Sequence, residues 1–539
     1  MVDADGSTPL HVAAWSGRTA AAELLLVAAP ETAMAVDAKG RTPLHLAAWS
    51  GQTAAAELLL AAAPQTAMAV DAEGRTPLHW AVIVGQTAAA ELLLAAAPKT
   101  AVAVDRYGYT PLHWASSMGH SAAVEMLLAV APDAAIVAGL GGLLPVHLAA
   151  AGGYIGGTRG QTAVLRQLLA AASQTAMVVD AEGSTPLHSA AMFGRISAVE
   201  LLLAVAPQAA MAVDAAGSTP LHWAARSGCT AVAELLLAAA PQTAMAVGRH
   251  TYTPLHWAAK HGSTAAAELL LAAAPETATA VDAEGSTPLH VAVRFGKTAA
   301  AEVLLAAAPH TAMAVDAQGK TPLHLAVRFG RTAEAKLLLA AAPETAMAVD
   351  AAGATPLHWA AYRGDTAAAE LLLAAAPETA MAVTVAGSTP LHSAAAGGHT
   401  ASVELLLAAA PEAAAARNAQ GEFPLQQALE GQHTDAARCL LASGPAAEVI
   451  HILQQHGQGA LPLFADYVVA RLPLSGDDWA LLPRHCSGLG RALPAALAHS
   501  ASQASSLVQH LPAADAERLL SFALCLARMQ RRVDIQLPV

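Results

Sequence analysis

Twelve histidines of this chain return at one position of a repeated phrase. Histidine is the side chain best suited to proton transfer and metal ligation near neutral pH. Eleven of the twelve close the tetrapeptide Thr-Pro-Leu-His, which begins at Thr8, Thr42, Thr76, Thr110, Thr185, Thr219, Thr253, Thr287, Thr321, Thr355 and Thr389. The twelfth, His147, closes the altered copy Leu144-Pro145-Val146-His147. Equivalent positions on neighbouring packed helices lie about 10 Å apart, whereas zinc needs its ligands about 2 Å from one point. The spacing therefore opposes a metal site. An aspartate ladder (Asp37, Asp71, Asp105, Asp180, Asp214, Asp282, Asp316, Asp350) keeps the same rhythm. It reads as turn chemistry rather than calcium ligation. His485-Cys486 has no recognisable acid or base partner. Gly156-Gly157-Thr158-Arg159-Gly160 lacks the Gly-Lys-Ser/Thr ending of a phosphate loop. The expectation is a chain that is no enzyme, with no catalytic residue, no metal and no cofactor.

The elements that must carry these histidines are legible in the second copy, Asp37 to Val70. Asp37-x-x-Gly40 reads as a tight turn. Thr42 is placed to cap a helix that starts at Pro43, where no N–H is needed. His45 lies three residues after the cap and can bond back to it, as Glu or Gln does in a capping box. Gly51 suits the left-handed residue that ends the helix. Thr53 is expected to cap a second helix, Ala54 to about Ala63, stopped by Pro64. Gln65 to Val70 then leads to the next turn.

The step between copies is 34 residues, except from Thr110 to Thr185. With His147 and the worn copy Phe423-Pro424-Leu425-Gln426, there are thirteen copies. A fixed period of this length marks a stacked-repeat architecture. The phrase Gly-x-Thr-Pro-Leu-His-x-Ala-Ala-x-x-Gly resembles the ankyrin repeat. That resemblance implies an all-α solenoid with helix-turn-helix plus a hairpin turn per repeat. The array is expected over 3–443, with a small C-terminal helical domain or cap over 444–539. Two departures from the family pattern stand out: a period of 34 rather than the usual 33, and an Ala-Pro step where a glycine usually follows the second helix.

The copies are unequal. The fifth loses its threonine cap to Leu144, at a cost of about 1 kcal/mol. It also carries a seven-residue insertion over 154–160, read either as a tolerated exposed turn or as a recognition loop or hinge. The eighth replaces its turn with Gly248-Arg249-His250-Thr251-Tyr252. The first copy has no polar cap ahead of it, so it is expected to fray or to be cut from a longer gene. The polar thirteenth copy suits a C-terminal cap. After Gly444 the period ends, and five short helices are expected: 446–456, 461–472, 477–484, 488–499 and 514–532.

By the resemblance, the end of each first helix lines a concave groove, and there the copies stop agreeing. Trp15, Trp49, Met192 and Phe193 hold these places in the first half. Arg226, Lys260, Arg294, Phe295, Arg328, Phe329, Tyr362 and Arg363 hold them later. One base per repeat with interleaved aromatics predicts a protein partner bearing acidic and apolar groups. Trp80, Trp114, Trp223, Trp257 and Trp359, directly after the motif histidine, are expected in the core between repeats.

A net charge of −13 argues against nucleic-acid binding. No uncharged run of about 20 residues predicts membrane insertion, and the first residues show no secretory signal. Four scattered cysteines suggest a reducing, intracellular site, cytoplasmic or nuclear. The expected function is a non-catalytic, monomeric protein–protein interaction scaffold. The alternative is a substrate-receptor subunit of a ubiquitin ligase, docking through Leu519–Arg532, which loosely resembles a SOCS box.

Overall fold

The computed structural model describes residues 2–152, 160–456, 460–486 and 488–518. The insertion over 154–160, apart from Gly160, and the box-like stretch from Leu519 onward lie outside the described residues. Helix and turn account for the architecture, with no strand among the described residues. The chain is an all-α solenoid. It falls into two compact units, Met1–Ala283 and Glu284–Val539, each stacked from the same repeat.

Local chemistry writes that repeat. Asp37 Oδ1 accepts the N–H groups of Lys39 and Arg41, both at 2.9 Å, which closes the turn. Thr42 stands in extended conformation before the helix Pro43–Ser50, and Gly51 ends it with φ 70°. The second helix is Thr53–Ala62. A short 3₁₀ segment, Pro64–Met68, follows. Thr66 anchors it by donating its hydroxyl to the Ala63 carbonyl at 2.6 Å. Between the helices Leu44, Ala47, Ala48, Ala55, Ala56 and Leu59 are completely buried. Alanine at most of these places lets helix axes close up. Each leucine contributes about 1.5–3 kcal/mol by leaving water.

Thr53 does not cap the second helix. Helical bonding already begins at Gln52, whose carbonyl accepts the Ala56 N–H at 2.9 Å, so Thr53 is the first helical residue. Position 52 has no side-chain cap bond. Several of its equivalents reach elsewhere, to the first-helix end of the preceding repeat. His120 Nε2 meets the Ile83 carbonyl at 3.2 Å, and Arg195 Nε donates to Ala151 at 3.0 Å. In the second unit His399 meets the Tyr362 carbonyl at 3.0 Å. Asp365 instead caps its own helix, accepting the Ala368 N–H at 3.0 Å. At His120, Arg195 and His399 a capping position thus joins one repeat to the one before it.

The turn tips form a second seam. Ala72 N–H bonds the Lys39 carbonyl at 2.9 Å, Ala181 bonds Gly141 at 2.8 Å, and Ala317 bonds Glu284 at 2.9 Å. Gly183 shows why glycine stands there. Its φ is 74°, and a Cβ on it would fall 2.7 Å from the Ala215 nitrogen of the next turn. Gly183→Ala is expected to cost about 2 kcal/mol, from the left-handed conformation and the displaced turn together. A urea-unfolding midpoint measures it.

Beyond the last repeat the second unit continues as Ala446–Gln455, Leu461–Arg471, Gly476–Leu481, Leu489–Ala492, Leu493–His499 and Ala501–Val508. The last of these is absent from the sequence expectation. Its Ser- and Gln-rich stretch buries only Ala504 and Leu507, and Ser500 starts it by accepting the Gln503 N–H. Arg471 ties the second tail helix to the array, donating to the Leu441 carbonyl at 2.7 Å and also to Gly444.

Candidate partner-binding surface

The histidines are structural. Thr42 N–H donates to His45 Nδ1 at 3.0 Å, with the Thr42 hydroxyl 2.9 Å from the same atom. An accepting Nδ1 places the ring proton on Nε2. Nε2 in turn donates to the Arg75 carbonyl of the next repeat at 3.0 Å. His79, His113, His188 and His222 repeat this pattern in the first unit. His290, His324, His358 and His392 repeat it in the second. Burial pushes His45, His79, His113, His222 and His358 down to about 4. Both ring nitrogens are therefore committed, and the rings are neutral near pH 7. Leu144 keeps half of the box: its N–H still reaches His147 Nδ1 at 3.2 Å. Phe423 does the same with Gln426 Oε1 at 2.8 Å. Among the described residues no group of three or more His, Cys, Asp and Glu is placed to hold a metal ion.

The tryptophans after the motif histidine are half-buried, not core. Leucine and alanine already fill the space between helices, and an indole N–H needs an acceptor. The turn aspartate supplies it. Nε1 of Trp80, Trp114, Trp223 and Trp359 donates to Oδ2 of Asp71, Asp105, Asp214 and Asp350 at 2.8, 3.0, 3.0 and 3.1 Å. At Trp257 the turn residue is Gly248, and the buried indole nitrogen has no hydrogen-bond partner. Cations cover the ring faces. Arg75 lies 4.8 Å from the Trp114 ring centre, and Arg226 lies 5.0 Å from Trp223 and 5.4 Å from Trp257.

The helix-end residues singled out in the sequence sort by unit. In the first, Trp15, Trp49, Met192, Phe193 and Arg226 are exposed and Lys260 is half-buried. Trp49 packs on Trp80 with ring centres 5.3 Å apart. Lys260 Nζ stands 5.0 Å over Trp257, so Arg226 and Lys260 share one indole. In the second unit Arg294 lies 5.9 Å from Phe295 and 5.8 Å from Phe329. Arg328 lies 5.7 Å from Phe329 and 5.3 Å from Trp359. Phe295 and Phe329 are each 38% exposed and Tyr362 is 58% exposed. Arg363 is exposed beside Tyr362.

A family model for ankyrin repeats, three copies long, matches residues 1–68, 62–137, 146–246, 242–314, 309–381 and 379–451. The chain belongs to the ankyrin-repeat family. No curated protein matches it. Ankyrin repeats are protein–protein interaction modules, and proteins of the family are typically non-catalytic scaffolds. Among the described residues of this ankyrin protein no helix is long and apolar enough to cross a membrane. Sequence reasoning missed one surface of the ankyrin array. The phrase Ala-Met-Ala-Val, which follows the second helix in seven repeats, leaves its two large side chains in solvent, at Met68 and Val70, Met211 and Val213, and, in the second unit, Met347 and Val349. The signal was the recurrence of apolar residues outside both helices.

Proposed function

We propose that this ankyrin-repeat protein is a non-catalytic scaffold whose first-helix ends bind a protein segment with acidic and apolar groups. The carrying observation is the alternation of guanidinium and aromatic ring in the second unit. Arg294 touches Phe295 and Phe329, and Arg328 touches Phe329 and Trp359. Ring contacts restrain both guanidiniums while leaving their N–H groups free to meet a carboxylate. Phe295, Phe329 and Tyr362 offer apolar area beside them, and aromatic and Arg side chains are what interface hot spots favour. Arg363, and Arg226 and Lys260 in the first unit, extend the same chemistry, with Trp15, Trp49, Met192 and Phe193 as apolar positions. In a chain of net charge −13, such local positive charge steers acidic partners.

We read residues 3–443 as the array and 444–539 as a C-terminal helical domain or cap, a reading supported by the Arg471 bond to Leu441. We read the protein as a monomer of a reducing intracellular compartment, where Cys229 and Cys439, outside any disulfide, suit such surroundings.

Isothermal titration with the acetylated amide peptide Glu-Phe-Glu-Leu-Glu tests the surface. The double variant Arg294→Glu/Arg328→Glu is expected to weaken binding about tenfold or more, with an unchanged unfolding midpoint. Equal binding by wild type and variant rejects the assignment.

A further inference from the structure

One repeat keeps the turn aspartate but places only a serine where the other repeats with that aspartate place Trp, Leu or Val. In repeats carrying Trp80, Trp114, Trp223 and Trp359, the tryptophan stands nine residues after the aspartate and donates to its Oδ2. In the sixth repeat the aspartate is Asp180, and the residue nine positions on is Ser189. Asp180 keeps its turn, with Oδ1 accepting the Glu182 and Ser184 N–H groups at 2.9 Å each. Its Oδ2 meets no indole. Asp71, Asp105, Asp214 and Asp350 are only 5–7% exposed, whereas Asp180 is half-buried. Where Val291 or Leu325 replaces the tryptophan, a larger aliphatic side chain occupies the place, and Asp37 beside Leu46 is paired with Arg41 at 2.7 Å. Ser189 is too short to do either.

The missing indole leaves a cleft of about 350 Å³ within the first unit, lined by Gly141, Asp180, Ser189, Met192, Phe193 and Trp223. The fifth repeat deepens it. Its turn is glycine-rich, and a Cβ on Gly141 would meet nothing within 4 Å. The lining is mostly apolar and aromatic, through Leu143, Met192, Phe193 and Trp223, and it includes the half-buried Asp180 and the exposed Glu182. A mostly apolar cleft of a few hundred Å³ with one oriented polar group is what holds a single anchoring side chain.

We propose that this cleft is a socket for a tryptophan presented by a protein partner. The partner indole lies against Phe193 and Trp223 and donates its N–H to Asp180 Oδ2, restoring the pairing that the array makes internally elsewhere. Asp180 and Glu182 favour a basic residue beside that tryptophan. The socket extends the groove reading at Met192 and Phe193, and it stands independently of the basic residues of the second unit.

The test uses fluorescently labelled Lys-Trp-Lys amide and its 1-methyltryptophan analogue, read by anisotropy against the full chain. Wild type is expected to bind the first peptide and to bind the methylated one about tenfold or more weakly, because a carboxylate built to accept an N–H is then left unpaired. Asp180→Asn is expected to weaken the parent peptide to a similar degree. Its fold is safe, since Asn418 makes the same two turn bonds in the thirteenth repeat at 3.0 and 2.9 Å. Ser189→Trp is expected to abolish binding and raise the melting temperature, as the chain fills its own socket. Arg294→Glu/Arg328→Glu is expected to leave this affinity unchanged, so failure of the socket and failure of the basic surface are distinguishable. Equal binding of the methylated peptide, full binding by Asp180→Asn, or no binding by wild type at millimolar peptide overturns the proposal. If Ser189→Trp does not fold, the methylated peptide and Asp180→Asn decide it.

Discussion

Acidification from pH 7.5 to pH 5 is expected to lower the urea-unfolding midpoint steeply. The cause is the row of motif histidines. Burial holds His45, His79, His113, His222 and His358 at about 4, against about 6.5 in an unfolded chain. As pH falls below 6.5 the unfolded chain takes up protons first, so unfolding is favoured. The contribution of each ring is fully present above pH 6.5 and is lost between 6.5 and 4. Below 4 folded and unfolded chains both bind the proton, and the loss stops growing. At pH 5 the loss is about 2 kcal/mol per ring. His11, His147, His188, His324 and His392 are shifted in the same direction by burial. Beside burial, Nδ1 already accepts the N–H of the cap residue, threonine or, for His147, Leu144, so a proton there would break that bond. Urea titrations followed by far-UV circular dichroism at half-unit pH steps measure the profile. A midpoint that stays flat from 7.5 to 5 refutes it.

His222→Leu is expected to destabilise the first unit by about 2–4 kcal/mol at pH 7.5. The ring accepts the Thr219 N–H at 2.9 Å and donates to the Tyr252 carbonyl at 3.0 Å. Leucine fills similar volume but leaves the buried Thr219 N–H without its acceptor, at about 1–3 kcal/mol, and removes one of two bonds to the Tyr252 carbonyl, which still accepts the Gly248 N–H at 2.9 Å. His222→Gln is expected to cost about half as much. Gln426 already shows the reason, since its side chain accepts the Phe423 N–H at 2.8 Å. Glutamine thus restores the cap bond and loses the one to the next repeat. Both variants are also expected to flatten the acid limb by one ring's share. Equal midpoints for leucine and glutamine would show that the cap bond contributes nothing.

Much of this was legible in the sequence because it is local. The turn at Asp37, the start at Pro43, the box between Thr42 and His45 and the stop at Gly51 involve residues no more than a few apart. Each has one conformation that satisfies its donors and acceptors. Thr53 misled because a threonine before an apolar run looks like a cap, while the left-handed Gly51 starts the helix one residue earlier. The tryptophans misled for another reason. Their size suggested core, but the core had been filled by Leu44, Leu59 and the alanines, and the indole N–H found Asp71, Asp105, Asp214 or Asp350.

The sequence by itself determined the repeat, its period, its two helices, the family and the positions where copies diverge. Those follow from interactions spanning four residues or fewer, repeated until the pattern is unmistakable. Only the tertiary structure decided what crosses from one repeat to the next. The His45 bond to Arg75 spans 30 residues, the His120 bond to Ile83 spans 37, and Arg294 reaches Phe329 across a full repeat. Such contacts depend on how close the alanine-faced helices approach one another. That distance is set by packing, and no single repeat contains it. The open place at Ser189 is of the same kind, a gap that exists only because the neighbouring turns and Trp223 stand around it.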